Sequence, residues 1–458
     1  MKRTSLITIL TLLLFVSVAI SQPPVFQNGD RIAFIGSSIA QKGGNFHNIN
    51  LFLATRYPNR KITFLNAGIG GDFSNDIIDR MDADILSTRP TWAVMMLEEN
   101  DLQPGLYYKS RQEEAGIAEK KQYWIDNWFR NADSIIRILK NANIKVILET
   151  PTIYDQTGDL PAENGYGVND ALQKCAAHLR QLAEKYDLPL VDCWSILKEV
   201  NEVVQKKDPT KSIIGPDRVH VSPMGYFVMA YQFLKTIPVS NMVSNTVIDA
   251  RKNKLLLQEN CSVSELQSSR NQLSFTYKSN ALPFPAPDGV NVDSFFSFSS
   301  EMNAETFRIK GLKRGNYSLS IDRQIVGSFS AKELERGVNL SLIKSTPQYM
   351  QSLKVLSLFE EYWNIESAIR RLKSLEYSYI KRFKNKETMA DLKNSFDEIL
   401  EQNKQNKNYN SLKNVFASYM TNKPKEKEML LQSESLYQSI YENCAPIARH
   451  YVIARLPD

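Results

Sequence analysis

Between Arg31 and about Lys235, short apolar runs alternate with longer amphipathic ones, and this alternation constrains the fold more than any other feature of the chain. Strand-like runs fall at 31–35, 61–65, 92–97, 145–149 and 190–192. Between them, apolar residues recur at helical spacing near 48–56, 74–87, 121–141, 169–186 and 223–235. Five strands interleaved with crossover helices predict a three-layer α/β domain built on a parallel sheet. Ligands of such open sheets bind beyond the carboxyl ends of the strands. The residues just after each strand are therefore the ones to read for chemistry.

At 458 residues the chain exceeds one ordinary core. The α/β pattern is expected to occupy residues 22–245. From 246 to 344 the pattern changes to alternation, as in "QLSFTYKS" and "NYSLSIDR", which predicts a β-rich module. Residues 345–458 are expected to be helical, with an aromatic stripe including Tyr349, Phe359 and Trp363 that reads as core. Residues 1–21 read as a signal peptide: Lys2 and Arg3, an apolar run from Leu6 to Val18, then small residues. The run is shorter than the roughly 20 apolar residues of a membrane span. The expected location is thus secreted or periplasmic, with no stable membrane insertion after cleavage.

Loss of Lys2 and Arg3 would lower the formal charge from +6 by two. So weak a balance makes no case for nucleic acid or an anionic membrane surface as partner. The four cysteines, Cys175, Cys193, Cys261 and Cys444, include no CxxC metal pair. Export permits a disulfide, with Cys175 and Cys193 the first pair to consider, and buried free thiols are the alternative.

The strand ends hold the chemistry. The first closes in Gly36-Ser37-Ser38-Ile39, the second in "NAGIGGDFSND", and the third in Asn100-Asp101 after Glu98 and Glu99; "GPDRVHVSPMGY" precedes the last helix. Acyl transfer needs a hydroxyl, a base, a group to orient the base, and donors for an oxyanion. Ser38 can supply the hydroxyl, although a serine after a strand can equally cap a helix. Of four histidines, His220 alone has a carboxylate, Asp217, three residues earlier in a loop; His47, His178 and His450 fall in other settings. Asp217 can hold one ring nitrogen while the other faces Ser38. The amides of Ser38 and Gly71 and the side chain of Asn100 can face an oxyanion.

Taken together, "IGSSIA", "NAGIGGD", "EENDL" and "PDRVH" resemble the four blocks of the SGNH hydrolases, or GDSL-type esterases, over close to half the chain. The resemblance implies a flavodoxin-like sheet and ester hydrolysis without metal or organic cofactor. It implies Ser38 as nucleophile, Asp217 and His220 as its partners, and Ser38, Gly71 and Asn100 as the oxyanion hole. Two positions depart from the family pattern. Ser37 stands where the family carries Asp, which puts the bracing of the nucleophile loop in question. Glu98 stands where it carries Gly; with Glu99 beside it, the pair at the mouth of the site could repel anionic substrates, bind a cationic or polyhydroxylated one, or face solvent, which is the default for an exposed charge. The expected function is a secreted serine esterase acting on small acyl esters, O-acetyl on carbohydrate foremost, with an acylated small molecule or polysaccharide as substrate. A lipid acyl hydrolase or thioesterase on the same site, and a non-catalytic glycan-binding protein with a decayed site, are the alternatives.

Overall fold

The computed structural model describes residues 26–406 and 408–457. Five parallel strands form the first sheet: β1 (Arg31–Gly36), β2 (Thr63–Gly68), β3 (Trp92–Met96), β4 (Lys145–Glu149) and β5 (Leu190–Val191), in the order β2-β1-β3-β4-β5. Register pairs Ile35 with Ala67 on one side and with Met95 on the other. Strands such as β3, buried at every residue, are apolar throughout because helices cover both faces. Those helices are α1 (Ser38–Lys42), α2 (Gly44–Arg56), α3 (Ser74–Asp79), α4 (Ile117–Asn141), α5 (Val168–Tyr186), α6 (Cys193–Lys207) and α7 (Pro223–Thr236). In α4 the buried positions Ile125, Trp128, Ala132, Ile135 and Leu139 recur three and four apart, forming one stripe against the sheet. The strand order reverses between β1 and β3, which opens a crevice at their carboxyl ends. Ser38 and Asn100 border it.

The helix expected over 74–87 is interrupted. After α3 the chain makes a π-helical turn at Met81–Ile85 and a short 3₁₀ turn at Leu86–Thr88. The buried Arg80 accounts for the break: its guanidinium turns inward to Asp72, to Asp84 and to the carbonyls of Gly36 and Ala67. Such π turns are frequent where a helix serves a functional site.

A second unit holds β6 (Met242–Asp249), β7 (Lys254–Glu259), β8 (Cys261–Ser268), β9 (Gln272–Ser279), α8 (Phe298–Glu301), β10 (Ala304–Lys310), β11 (Asn316–Ile321), β12 (Gln324–Ser330), α9 (Ala331–Arg336) and β13 (Val338–Asn339). Its sheets run β13-β10-β6-β7 and β12-β11-β14-β9-β8. The central strand of the latter, β14 (Arg449–Arg455), comes from the far end of the chain, where the sequence pattern predicts helix. Its seven residues bury Tyr451 and Ile453 at alternate positions, too short a signal to stand out beside long helices. A segment around Leu282, Phe284 and Phe298 leaves the β sheets and packs in the α/β core.

Between β13 and β14 the chain forms a helical arm: α10 (Pro347–Ser378), α11 (Met389–Gln402), α12 (Tyr409–Asn422) and α13 (Glu426–Cys444). Tyr349 and Phe359 are buried, as expected of core. Trp363 stacks on His47 of α2, with ring centroids 4.4 Å apart. Arg370 of α10 bonds Asp84 through both terminal nitrogens and the Gly68 carbonyl through Nε at 2.8 Å. The arm is thus fixed directly to the end of β2.

All four cysteines are free, so the Cys175–Cys193 disulfide is not formed. Cys175 lies on the apolar face of α5 and Cys193 begins α6, where burial pushes both thiols well up. The expected signal peptide lies outside the described residues. Among the described residues, no helix is long and apolar enough to cross a membrane.

Burial lowers the His47 imidazole to about 3. The folded state therefore keeps His47 neutral while an unfolded chain protonates it near 6.5. Stability present above that value is lost as pH falls toward 3. At pH 4.5 this corresponds to about 2–3 kcal/mol. Urea unfolding at pH 7 and 4.5 should show wild type losing about that much relative to His47→Gln; parallel losses would refute it.

Candidate active site

The turn that carries Ser38 is held by one carboxylate. Glu98, just beyond β3, is buried and accepts hydrogen bonds from the amides of Ser37 at 2.8 Å, Ile39 at 3.0 Å and Ala40 at 3.2 Å. It also accepts the Ser37 hydroxyl at 2.5 Å. These amides start α1, where no helical carbonyl can reach them. Gly36 permits the approach, since a Cβ there would sit 2.8 Å from the Met96 carbonyl oxygen.

The expectation that Glu98 and Glu99 face solvent is therefore corrected: both are buried. The donors of the turn around Ser38 draw Glu98 inward. Glu99 follows it into the interior, where burial first and the adjacent Glu98 second push its carboxyl up to about 8. At neutral pH, Glu99 adds little negative charge beside the site.

Above this turn lies His220. Its Nε2 is 2.9 Å from Ser38 Oγ and its Nδ1 is 2.6 Å from Asp217 Oδ2. The other carboxylate oxygen of Asp217 accepts the amides of Val219 and His220. Burial raises the Asp217 carboxyl, but the His220 ring and these amides outweigh it and leave the group below its usual range. Asp217 is thus ionised at neutral pH and can balance a proton on His220.

The loop from Asp217 to His220 is clamped by the residue inside it. Arg218, at φ 67°, is 5% exposed and donates to the carbonyls of Asp155, Gly158, Leu160 and Ala162. Asp155 in turn accepts from Gly158 N, Asn201, Gln205 and Ser212. Ser222 then caps α7, and Pro223 opens it. Sequence reading did not single out Arg218, because an arginine in a loop is ordinarily exposed.

Gly71, at φ +86°, has open space where a Cβ would stand. The amides of Ser38 and Gly71 have no acceptor among the described residues. The Asn100 side chain donates to Ser37 Oγ at 2.8 Å and to the Asp72 carbonyl at 3.1 Å, joining the Ser37-Ser38 turn to the glycine loop. The structure therefore aligns Ser38, His220 and Asp217 directly, with Gly71 and Asn100 bordering them. The remaining histidines lie elsewhere: His47 against Trp363, His178 stacked on Phe129, and His450 on β14.

A parallel sheet of this order, with a serine and an aspartate-bound histidine in line at its carboxyl edge, defines a three-layer α/β esterase. Residues 34–227 match the model of the GDSL-like lipase/acylhydrolase family. The α/β domain belongs to that family, among the SGNH hydrolases, and is a carboxylic ester hydrolase domain. The chain is similar to an acetylxylan esterase of Geobacillus stearothermophilus, 24% identical over 225 residues, covering 46% of this chain and 94% of that protein. It is also similar to the solved structure described as BT4096, a gut microbial diltiazem-metabolizing enzyme, at 27% identity and a TM-score of 0.84. That match covers 95% of this chain and 99% of the other, so the β-rich unit and helical arm share its fold.

The brace is testable by moving its charge. Ser37→Asp places a second carboxylate against Glu98, and two carboxylates so close cannot both ionise. Displacement of Ser38 should then reduce kcat/KM on p-nitrophenyl acetate by about 10²-fold. Adding Glu98→Gly to Ser37→Asp should restore at least about 10-fold, because the family arrangement is recovered. Additive losses in the double variant would show that Glu98 and Ser37 act independently.

Proposed function

We propose that the protein is an exported serine esterase that removes small acyl groups, O-acetyl on carbohydrate in particular. The observation that carries this reading is the line from Asp217 through His220 to Ser38, at 2.6 and 2.9 Å. His220 Nε2 takes the Ser38 hydroxyl proton as Oγ bonds to the acyl carbon. The carbonyl oxygen becomes an oxyanion facing the Ser38 and Gly71 amides, and Asn100 shares one of its N–H groups with it. Collapse breaks the bond to the leaving alcohol, which receives the proton from His220. Water then attacks the acyl-enzyme with His220 again as base, releasing the acid and restoring Ser38. Asp217 holds the ring with Nδ1–H directed at its carboxylate throughout.

The acetyl and carbohydrate parts of the reading rest on the acetylxylan esterase relative and on the expected export signal. Because a drug-metabolising enzyme is similar over nearly the whole chain, small non-carbohydrate esters are the natural controls.

Ser38→Ala should lower turnover of p-nitrophenyl acetate by at least about 10³-fold and abolish labelling by a fluorophosphonate. Undiminished turnover would remove Ser38 from the mechanism. Asn100→Ala should lower kcat by about 10²-fold with KM changed less than about threefold. A rise in KM alone would make Asn100 a binding group. Acetate release measured across acetylated xylan, acetylated pectin and phospholipid vesicles separates the carbohydrate reading from a lipid one.

A further inference from the structure

Beside the glycine loop, the helical arm walls one side of an open cavity whose other side is the α/β domain. Its volume is about 470 Å³, within the range of small-molecule sites. One wall is Gly70 and Gln41 of the esterase domain. A Cβ on Gly70 would lie 3.7 Å from Ser38 Cβ, and the Gly70 amide is fixed by Gln41 Oε1 at 2.9 Å. The Gly70 edge of the cavity therefore lies next to Ser38.

The opposite wall comes from α10 and α12. It presents Ser374, Ser378, Ser411, Asn414 and Arg371, whose side chains have no hydrogen-bond partner among the described residues. Tyr379 and Tyr419 supply aromatic surface, and Leu372 and Leu375 a small apolar floor. Hydroxyls, an amide and aromatic rings around a part-apolar space fit a sugar ring, which offers hydroxyls at its edge and C–H groups on its faces. An alkyl chain would leave those polar groups unpaired.

This wall is held in register with the serine. Arg370, the residue before Arg371, is buried and bonds the Gly68 carbonyl and Asp84. Two residues separate Gly68 from Gly71. The same short loop thus touches the anchored helix and borders the site.

We propose that the helical arm forms the leaving-group subsite, which seats the hydroxyl-rich sugar from which Ser38 removes the acyl group. This inference rests on the carbohydrate reading above and adds where the sugar binds. A small leaving group such as nitrophenol occupies little of the cavity, so the subsite governs oligosaccharide esters and leaves aryl acetates nearly unaffected.

The test uses the full chain with Asn414→Leu, an exposed position on α12, alone and combined with Ser378→Leu. Acetylated xylooligosaccharide and p-nitrophenyl acetate are the substrates. The double variant should raise KM for the oligosaccharide about 10-fold, while kcat/KM for p-nitrophenyl acetate stays within about twofold. Deacetylated xylooligosaccharide should inhibit aryl ester turnover by wild type competitively and inhibit the variant about 10-fold more weakly. If wild type cleaves the oligosaccharide but Asn414→Leu and the double variant keep its KM and the inhibition constant, the subsite is overturned and the carbohydrate reading stands. If wild type cleaves only the aryl ester, the carbohydrate reading fails and the subsite with it.

Discussion

A buried carboxylate with five donors around it sets the geometry of this site. Glu98 takes three amides and two hydroxyls from the turn that carries Ser38, the Ser38 hydroxyl being the most distant at 3.4 Å. Hydrogen bonds to a charged acceptor are stronger than neutral ones, and leaving such a group buried without partners is costly. The turn can satisfy Glu98 in only a narrow range of conformations, and these direct Ser38 Oγ toward His220. The brace reaches the turn from β3 across the sheet. Proper alignment of β1 with β3 is therefore a condition for forming the site.

A second constraint joins the appended regions to the catalytic end of the sheet. Arg80 and Arg370 share Asp84, and together they hold the carbonyls of Gly36, Ala67 and Gly68. These carbonyls end β1 and β2 immediately before the Ser37-Ser38 turn and the glycine loop. One guanidinium belongs to the α/β domain and the other to the helical arm, nearly three hundred residues away in sequence. Removing one partner from such a network leaves an uncompensated buried charge. The position of the arm and the position of the glycine loop are consequently set by the same few atoms.

The parallel sheet was legible because each strand is a short apolar run followed by an amphipathic helix, with periods of two kinds that do not resemble each other. Ser38, Gly71, Asn100, Asp217 and His220 were legible because they lie at the ends of those strands or in one loop with Asp-x-x-His spacing. Glu98 and Arg218 were not. Their importance lies in burial and in long-range partners, and a charged residue in a loop gives no local sign of either. The strand β14 was hidden for a related reason. Its partners β9 and β11 are far away in sequence, and its alternation spans only seven residues. The break after α3 depends likewise on what Arg80 reaches, so helical periodicity through residue 87 could not reveal it.

Ser37 and Glu98 are best understood as one substitution in two places. The resembled pattern carries a carboxylate before the nucleophile and a glycine after β3; here the carboxylate stands after β3 and a small hydroxyl residue precedes the nucleophile. Glycine at 98 would leave the first amides of α1 without this acceptor, and aspartate at 37 would meet the acceptor already there. The first change alone removes an acceptor and the second alone crowds two carboxyl groups, whereas the pair keeps a single carboxyl group beside the turn. The hydroxyl of Ser37 adds a link absent from a simple exchange, since it accepts from Asn100 while donating to Glu98. Through it, the group that braces the Ser38 turn also orients the Asn100 side chain.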